Sequence, residues 1–86
     1  MEVEYKKKAL DDREYWKEQG TLKIQKRISE LINDICKHPF TGIGKPEPLK
    51  YELAGLWSRR ITQKHRIIYE VGNNMISIIS MKGHYK

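Results

Sequence analysis

The sequence predicts an α+β domain: an N-terminal strand, a helical hairpin, then an antiparallel four-stranded meander, with the helices on one face of a single sheet. Three observations carry that reading. Apolar residues recur with helical spacing between residues 7 and 37, and with a period of two after residue 50. The length, 86 residues, leaves room for one core only, so a single domain is expected over residues 1–86. With 38% hydrophobic residues that core is thin, which suits one sheet covered on one side. No repeat, linker or low-complexity segment interrupts the chain.

Residues 1–5 alternate, with Val3 and Tyr5 on one face and Glu2 and Glu4 on the other, as in a short half-buried strand. From Lys7 to Gln19 the pattern turns helical, with Ala9, Leu10, Arg13 and Trp16 assigned to one face and Gly20 as the stop. Thr21 is placed to cap a second helix, whose stripe Ile24, Ile28, Leu31, Ile32 and Ile35 keeps one face apolar. That helix ends at His38, because the residue before a proline avoids helical backbone angles. The very short turn at Gly20 makes the two helices antiparallel neighbours. Residues 39–49, PFTGIGKPEPL, hold three prolines and two glycines and read as a loop with a stiffened backbone.

After that loop Tyr51 and Leu53 mark a short strand and Ala54-Gly55 a turn. Leu56–Thr62 is the next strand, Gln63-Lys64 a tight connection, and His65–Val71 a third strand. Gly72-Asn73-Asn74 suits a hairpin turn, since Gly and Asn tolerate positive φ. Met75–Met81 is apolar on both faces, which predicts a central last strand.

Several function classes drop out at once. No apolar run approaches the ~18 residues that a membrane span needs. The charged N-terminus, MEVEYKKKALDDREYW, lacks the apolar centre of a signal peptide. Cys36 is the single cysteine, which excludes an internal disulfide and a multi-cysteine metal site and fits a reducing cytoplasm. The three histidines show no metal-ligand spacing, and no metal or cofactor is expected. There is no Gly-rich phosphate loop and no Ser nucleophile motif.

Charge points the other way. The formal charge is +6, and residues 1–40 hold nine Lys/Arg against eight Asp/Glu, while residues 41–86 hold eight against three. A basic C-terminal half raises the local concentration of phosphate-bearing polymers. Basic charge alone also fits a small cytoplasmic protein with no nucleic-acid role. Strand parity sharpens the choice. Trp57, Ile61, Ile67, Tyr69 and Val71 have odd numbers and suit the helix-covered face, whereas Ser58, Arg60, Thr62, Arg66 and Glu70 face away. Arg59 breaks the rule and is assigned to the rim of the sheet. Pairing through Gln63-Lys64 makes Arg60 and Arg66 near neighbours on one face. Two such guanidiniums repel unless an anion lies between them. The residues alone leave a second reading open, a solvated face with each arginine paired to Glu70 or Glu52.

Glu47 stands between Pro46 and Pro48, which fix the backbone on either side of its carboxylate. By itself that is equally a surface Glu in a proline loop. His84 is next to the chain end, and His65 and His38 are read as structural, one opening a strand and the other ending a helix.

The runs GKPEPLK (Gly44 to Lys50), LWSRRIT..HRIIY (Leu56 to Tyr69) and the His84-Tyr85 pair resemble the YoeB/Txe toxins of the RelE-like superfamily of toxin–antitoxin endoribonucleases. The resemblance extends to DD..YW (Asp11 to Trp16) and KRI.ELI.DI (Lys26 to Ile35), and so covers essentially the whole chain. It implies a RelE-like, microbial-RNase-like sheet with two helices on one face. It also implies ribosome-dependent cleavage of mRNA in the A site, without metal, by attack of a ribose 2′-hydroxyl on its own phosphodiester. By that resemblance Glu47 is the general base, His84 the general acid, Arg66 the stabiliser of the pentacovalent phosphate, and Tyr85 completes the catalytic set. Lys50 and Arg60, with Lys45 and Lys82, are the implied RNA- and phosphate-binding cations. The implied partners are an acidic, partly disordered YefM/Axe-like antitoxin, the ribosome and its message; a homodimer is allowed and no membrane is involved. Gly83 and the additional Lys86 flank the His84-Tyr85 pair and depart from the family's pattern.

The competing class is a non-catalytic basic RNA- or ribosome-binding module. Glu47 discriminates, because a pure phosphate binder gains nothing from a carboxylate among its cations. A DNA-binding repressor or antitoxin is disfavoured, since no helix-turn-helix or basic arm is present.

Overall fold

In the computed structural model, which describes residues 1–83, the chain runs β1 (Glu2–Tyr5), α1 (Lys7–Gln19), α2 (Leu22–Lys37) and β2 (Glu47–Pro48). A 3-10 turn (Tyr51–Leu53) follows, then β3 (Leu56–Arg60), β4 (Arg66–Gly72) and β5 (Met75–Ser80). These strands form one sheet in the order β1-β5-β4-β3-β2. β1 runs parallel to β5 and the other neighbours are antiparallel. The α+β class and the central place of β5 are as the sequence predicts.

Register explains the core. Tyr5, Ile78, Tyr69, Trp57 and Pro48 form one row across all five strands, and Val3, Ile76 and Val71 form the next. Both rows face the helices, where Ile28, Leu31 and Ile35 of α2 and Ala9 and Trp16 of α1 close over them. The Thr21 hydroxyl accepts the Ile24 N–H at 3.2 Å, capping α2 as its sequence requires. A two-for-one bulge in β5 pairs Ile78 with Tyr69 but Ser80 with Ile68, so Ile79 is the extra residue. The bulge returns Met81 to the core after Ile76 and Ile78.

Three expectations change. On α1, Leu10 is 41% exposed and Asp12 is buried instead. Ala9, Asp12 and Trp16 are the helical stripe, and the Asp12 carboxylate is tolerated inside because it accepts the Met81 N–H at 2.9 Å and binds Lys8 at 2.7 Å. Tyr51 and Leu53 are not a strand but a 3-10 turn, with Tyr51 at φ 58°. The first strand of the meander is Glu47–Pro48, and Pro48, lacking an N–H, is accommodated because β2 is a sheet edge.

The third correction is Arg59. It is not at a rim: it is fully buried on the helix side, where its odd number places it, opposite Ile67. All five guanidinium N–H groups are used. Nε donates to the Tyr69 hydroxyl (3.2 Å), Nη1 to Asp34 Oδ2 (2.5 Å) and Ile43 O (3.1 Å), and Nη2 to Thr41 O (2.9 Å) and His38 O. Tyr69 in turn donates to Pro39 O at 2.6 Å, and Asp34 also accepts the Ile43 N–H at 3.1 Å. The loop 38–43 is thereby wrapped around one cation. Gly42 sits at φ 124°, and a Cβ there would lie 2.0 Å from the Asp34 carboxylate, so no other residue fits.

This buried cluster makes two expectations. Arg59→Leu leaves the Asp34 carboxylate without its counter-charge and several loop carbonyls without their donor, and the expected loss is roughly 3–5 kcal/mol in urea unfolding. Arg59→Lys fails nearly as badly, because an ammonium cannot reproduce the planar fork. The hydrogen bond from Arg59 holds the Asp34 carboxyl below its ordinary value of 3.8. The stability this contributes is therefore fully present above that value and is lost as pH falls through the depressed folded value. Urea midpoints measured between about pH 5 and about pH 2 fall with acid in the wild type, and Asp34→Asn flattens that fall.

Candidate active site

The face of the sheet away from the helices carries the row Glu47, Ser58, Ile68 and Ser80, followed by Arg60 opposite Arg66. Strand geometry alone produces this set. Arg60 and Arg66 are directly opposed, so their Cα atoms are about 4.5–5.5 Å apart. Glu47 is the diagonal neighbour of Arg60, at about 7–8 Å, within reach of long side chains. Ser58, Ile68 and Ser80 are buried, so the exposed chemistry lies at the Glu47 end and in the arginine row.

Neither arginine is neutralised by the carboxylates that the sequence offered. Among the described residues Arg60 and Arg66 form no ion pair, and Glu70 is exposed four residues along β4 from Arg66, about 13 Å away. Arg60 is half-buried and its Nε has no hydrogen-bond partner among the described residues, as is true of the Ser80 hydroxyl on the same face. An unsatisfied buried donor costs about 1–3 kcal/mol. An anion between the two guanidiniums would satisfy both the donor and the charge.

The backbone under these groups is fixed from several sides. Arg60 N–H donates to Gly44 O at 2.7 Å, and Arg27 Nη2 reaches Arg60 O at 3.4 Å. Lys45, exposed and at φ 52°, follows Gly44 directly and so lies near Arg60. Lys50, also exposed, opens the 3-10 turn just after β2, beside Leu49, whose N–H donates to Leu56 O at 2.8 Å, and so lies at the end of β3 away from Arg60. Lys82 is not brought to the arginines: its ammonium lies 4.0 Å over the Tyr15 ring of α1. His84 and Tyr85 lie outside the described residues.

Sequence reasoning missed the groups that support this face. Arg59 and Asp34 hold the loop that delivers Glu47, and His65 and Trp16 bind the segment that follows β5. The available signal was an arginine at an inward strand position together with an aspartate in the last turn of a helix. Among the described residues no three of His, Cys, Asp and Glu come together in a way that could hold a metal ion. A cleft of about 190 Å³ between the helices and β1, lined by Tyr5, Arg13, Trp16 and Ile28 among others, contains none of the candidate residues. An open sheet face needs no pocket of its own when a large partner supplies the opposite wall.

Known proteins agree with this layout. The sequence model of the YoeB-like toxins of bacterial type II toxin–antitoxin systems matches residues 5–85. Toxin YoeB of Escherichia coli K12 is 45% identical over 85 residues, covering 99% of this chain and 100% of that protein. The solved YoeB/ParE toxin of Agrobacterium tumefaciens superposes with a TM-score of 0.92 at 38% identity, over 99% of this chain and 100% of that one. The Staphylococcus aureus YoeB, solved in a complex with YefM and as a dimer, gives 0.88 and 0.89 at 40% identity, over 99% of this chain and 98% of that one. With a family model matched over nearly its whole length and relatives well above 30% identity, this chain belongs to the YoeB-like toxin family of bacterial type II toxin–antitoxin systems.

Proposed function

We propose that this toxin is a ribosome-dependent endoribonuclease that cuts mRNA in the A site and so stops translation. The observation that carries the reading is the register. Two arginines directly opposed, without a carboxylate partner among the described residues, share a sheet face with one carboxylate on their diagonal. A phosphodiester seated between Arg60 and Arg66 supplies the missing counter-charge and presents its ribose toward Glu47.

In the proposed step Glu47 takes the proton of the 2′-hydroxyl, and the 2′-oxygen forms a bond to phosphorus. The bond from phosphorus to the 5′-oxygen breaks, and His84 gives that oxygen its proton. A 2′,3′-cyclic phosphate and a 5′-hydroxyl result. Arg66 binds the phosphoryl oxygens as charge develops on them, where a fixed guanidinium stabilises most. Arg60, Lys50 and Lys45 hold the backbone of the message, and Tyr85 completes the catalytic set. Every proton and charge role is filled by a side chain of this chain. The ribosome contributes the in-line alignment, worth up to about 7–11 kcal/mol.

The S. aureus relative forms a complex with YefM and a dimer. By extension, the partner of this chain is an acidic antitoxin whose disordered segment folds over the basic face. A second copy of the chain is a further expected partner, and the place of action is the cytoplasm.

Primer extension on ribosome-bound message tests the reading: new 3′ ends within the A-site codon are expected with the wild type, and intact message would leave only the binding module. Glu47→Gln and Arg66→Ala are each expected to slow single-turnover cleavage by roughly 2.7–4 kcal/mol while ribosome binding changes little. Lys50→Ala and Arg60→Ala weaken binding as well. In cells, expression of the wild type alone arrests growth, and the Glu47→Gln, Arg66→Ala double variant is tolerated at the same protein level.

A further inference from the structure

The DD..YW motif of α1 has no part in the proposed chemistry, yet its side chains converge on a single short stretch of backbone. Lys8, Asp12 and Trp16 follow one another at intervals of four on one side of α1, and all three end on the chain that leaves β5. Lys8 Nζ donates to Lys82 O (3.3 Å), Asp12 Oδ2 accepts the Met81 N–H (2.9 Å), and Trp16 Nε1 donates to Met81 O (2.7 Å). Asp12 and Trp16 together do for Met81 what a neighbouring strand would do, binding both its N–H and its C=O.

Two residues later His65 takes over. The Gly83 N–H donates to His65 Nδ1 at 3.0 Å, and Gly83 O accepts the Arg66 N–H at 3.0 Å. A backbone amide can only donate, so Nδ1 is the acceptor and carries no proton. His65 is itself fixed, with its own N–H on the Thr62 hydroxyl at 3.0 Å and its ring edge-on to Trp16, centroids 5.0 Å apart. Gly83 stands at φ 97°, a conformation that only glycine adopts without strain. Met81 is buried, Lys82 and Gly83 are half-buried, and their backbone is bound residue by residue, ending against the N–H of Arg66.

We infer that His65 is a positioning residue. Through Gly83, and with Asp12 and Trp16 holding Met81, it fixes the point beside Arg66 from which the chain runs on to His84-Tyr85. The inference rests on the proposed role of His84 in cleavage. It assigns α1 and the β3–β4 turn a positioning task in the proposed cleavage. Placement matters at this scale because a displacement of about 1 Å can slow a reaction on the order of 100-fold.

The test is single-turnover cleavage of ribosome-bound message carrying either the normal linkage or a sulfur in place of the 5′-bridging oxygen. A thiolate leaves without being protonated, so the sulfur substrate has no need of the acid. His65→Phe keeps the ring against Trp16 and removes the acceptor; it is expected to slow the normal linkage by about 10- to 100-fold. On the sulfur linkage it should run at the wild-type rate, with ribosome binding unchanged. His65→Asn, whose side-chain oxygen can stand where Nδ1 stands, restores most of the normal rate. Trp16→Phe removes the donor to Met81 O together with part of the buried ring that packs on His65, and gives the same pattern at smaller amplitude, which decides the matter if His65→Phe does not fold. Glu47→Gln is slow on both linkages. A His65→Phe protein that cleaves the normal linkage at the wild-type rate overturns the inference, as does one that is equally slow on both linkages at unchanged thermal stability. In both cases the wild type still cuts, and the proposed function stands. A wild type that leaves the message intact removes both together.

Discussion

The enclosed guanidinium of Arg59 is the interaction on which the rest of the candidate site depends. It binds the Asp34 carboxylate near the end of α2, three carbonyls of the loop that follows, and the Tyr69 hydroxyl of β4. A loop with so many polar backbone groups cannot be buried unless they are satisfied, and here one cation satisfies most of them. Asp34 is held ionised by that contact, while burial pushes the Tyr69 hydroxyl up, partly offset by the same arginine. Tyr69 therefore serves as a neutral donor and acceptor between Arg59 and Pro39. The path of the chain from α2 to Gly44 is thus fixed before β2 begins, and Gly44 O then takes the N–H of Arg60.

That arrangement explains how Glu47 is presented on a two-residue edge strand. By itself a strand of two residues has almost no stability. Anchored upstream by Arg59 and downstream by the Leu49–Leu56 hydrogen bond, it presents its carboxylate opposite Ser58 and one diagonal step from Arg60. The neighbouring arginines Arg59 and Arg60 divide the labour by parity: one points inward and organises, the other points outward beside Arg66. Like charges directly opposed are unfavourable in a sheet. Placing such a pair on strands whose other face carries the core lets packing elsewhere offset the strain. Concentrated, underused positive charge is what a site for a polyanion requires.

The two ends of the site are held in unlike ways. Glu47 depends on a loop wrapped around a buried ion, with prolines on either side limiting its backbone. The segment leading to the chain end depends on side chains of α1 that replace a missing strand, and on a histidine accepting from a backbone amide. The helices therefore do more than cover the core. Their inward stripe seals the sheet, and the polar members of that stripe, Asp12 and Asp34, each bind the backbone of a segment adjoining the candidate face.

By itself the sequence determined the class of fold, both helices with their boundaries, the hairpin at Asn73-Asn74 and the central place of β5. These features are written in local periodicity, capping and turn chemistry, which act over a few residues. Strand parity likewise placed Arg60 and Arg66 side by side, because a tight turn leaves little freedom of register. Tertiary structure alone decided the rest. Tyr51 and Leu53 alternate as a strand would, but Glu47–Pro48 took the edge of the sheet, since the loop before it is anchored by a residue twelve positions ahead. Arg59 and Asp12 broke the apolar patterns of their elements because their acceptors and donors come from distant parts of the chain, and no local rule can see a partner that far away. The β5 bulge, which returns Met81 to the core, is likewise set by pairing with β4 and leaves no mark in the sequence of β5.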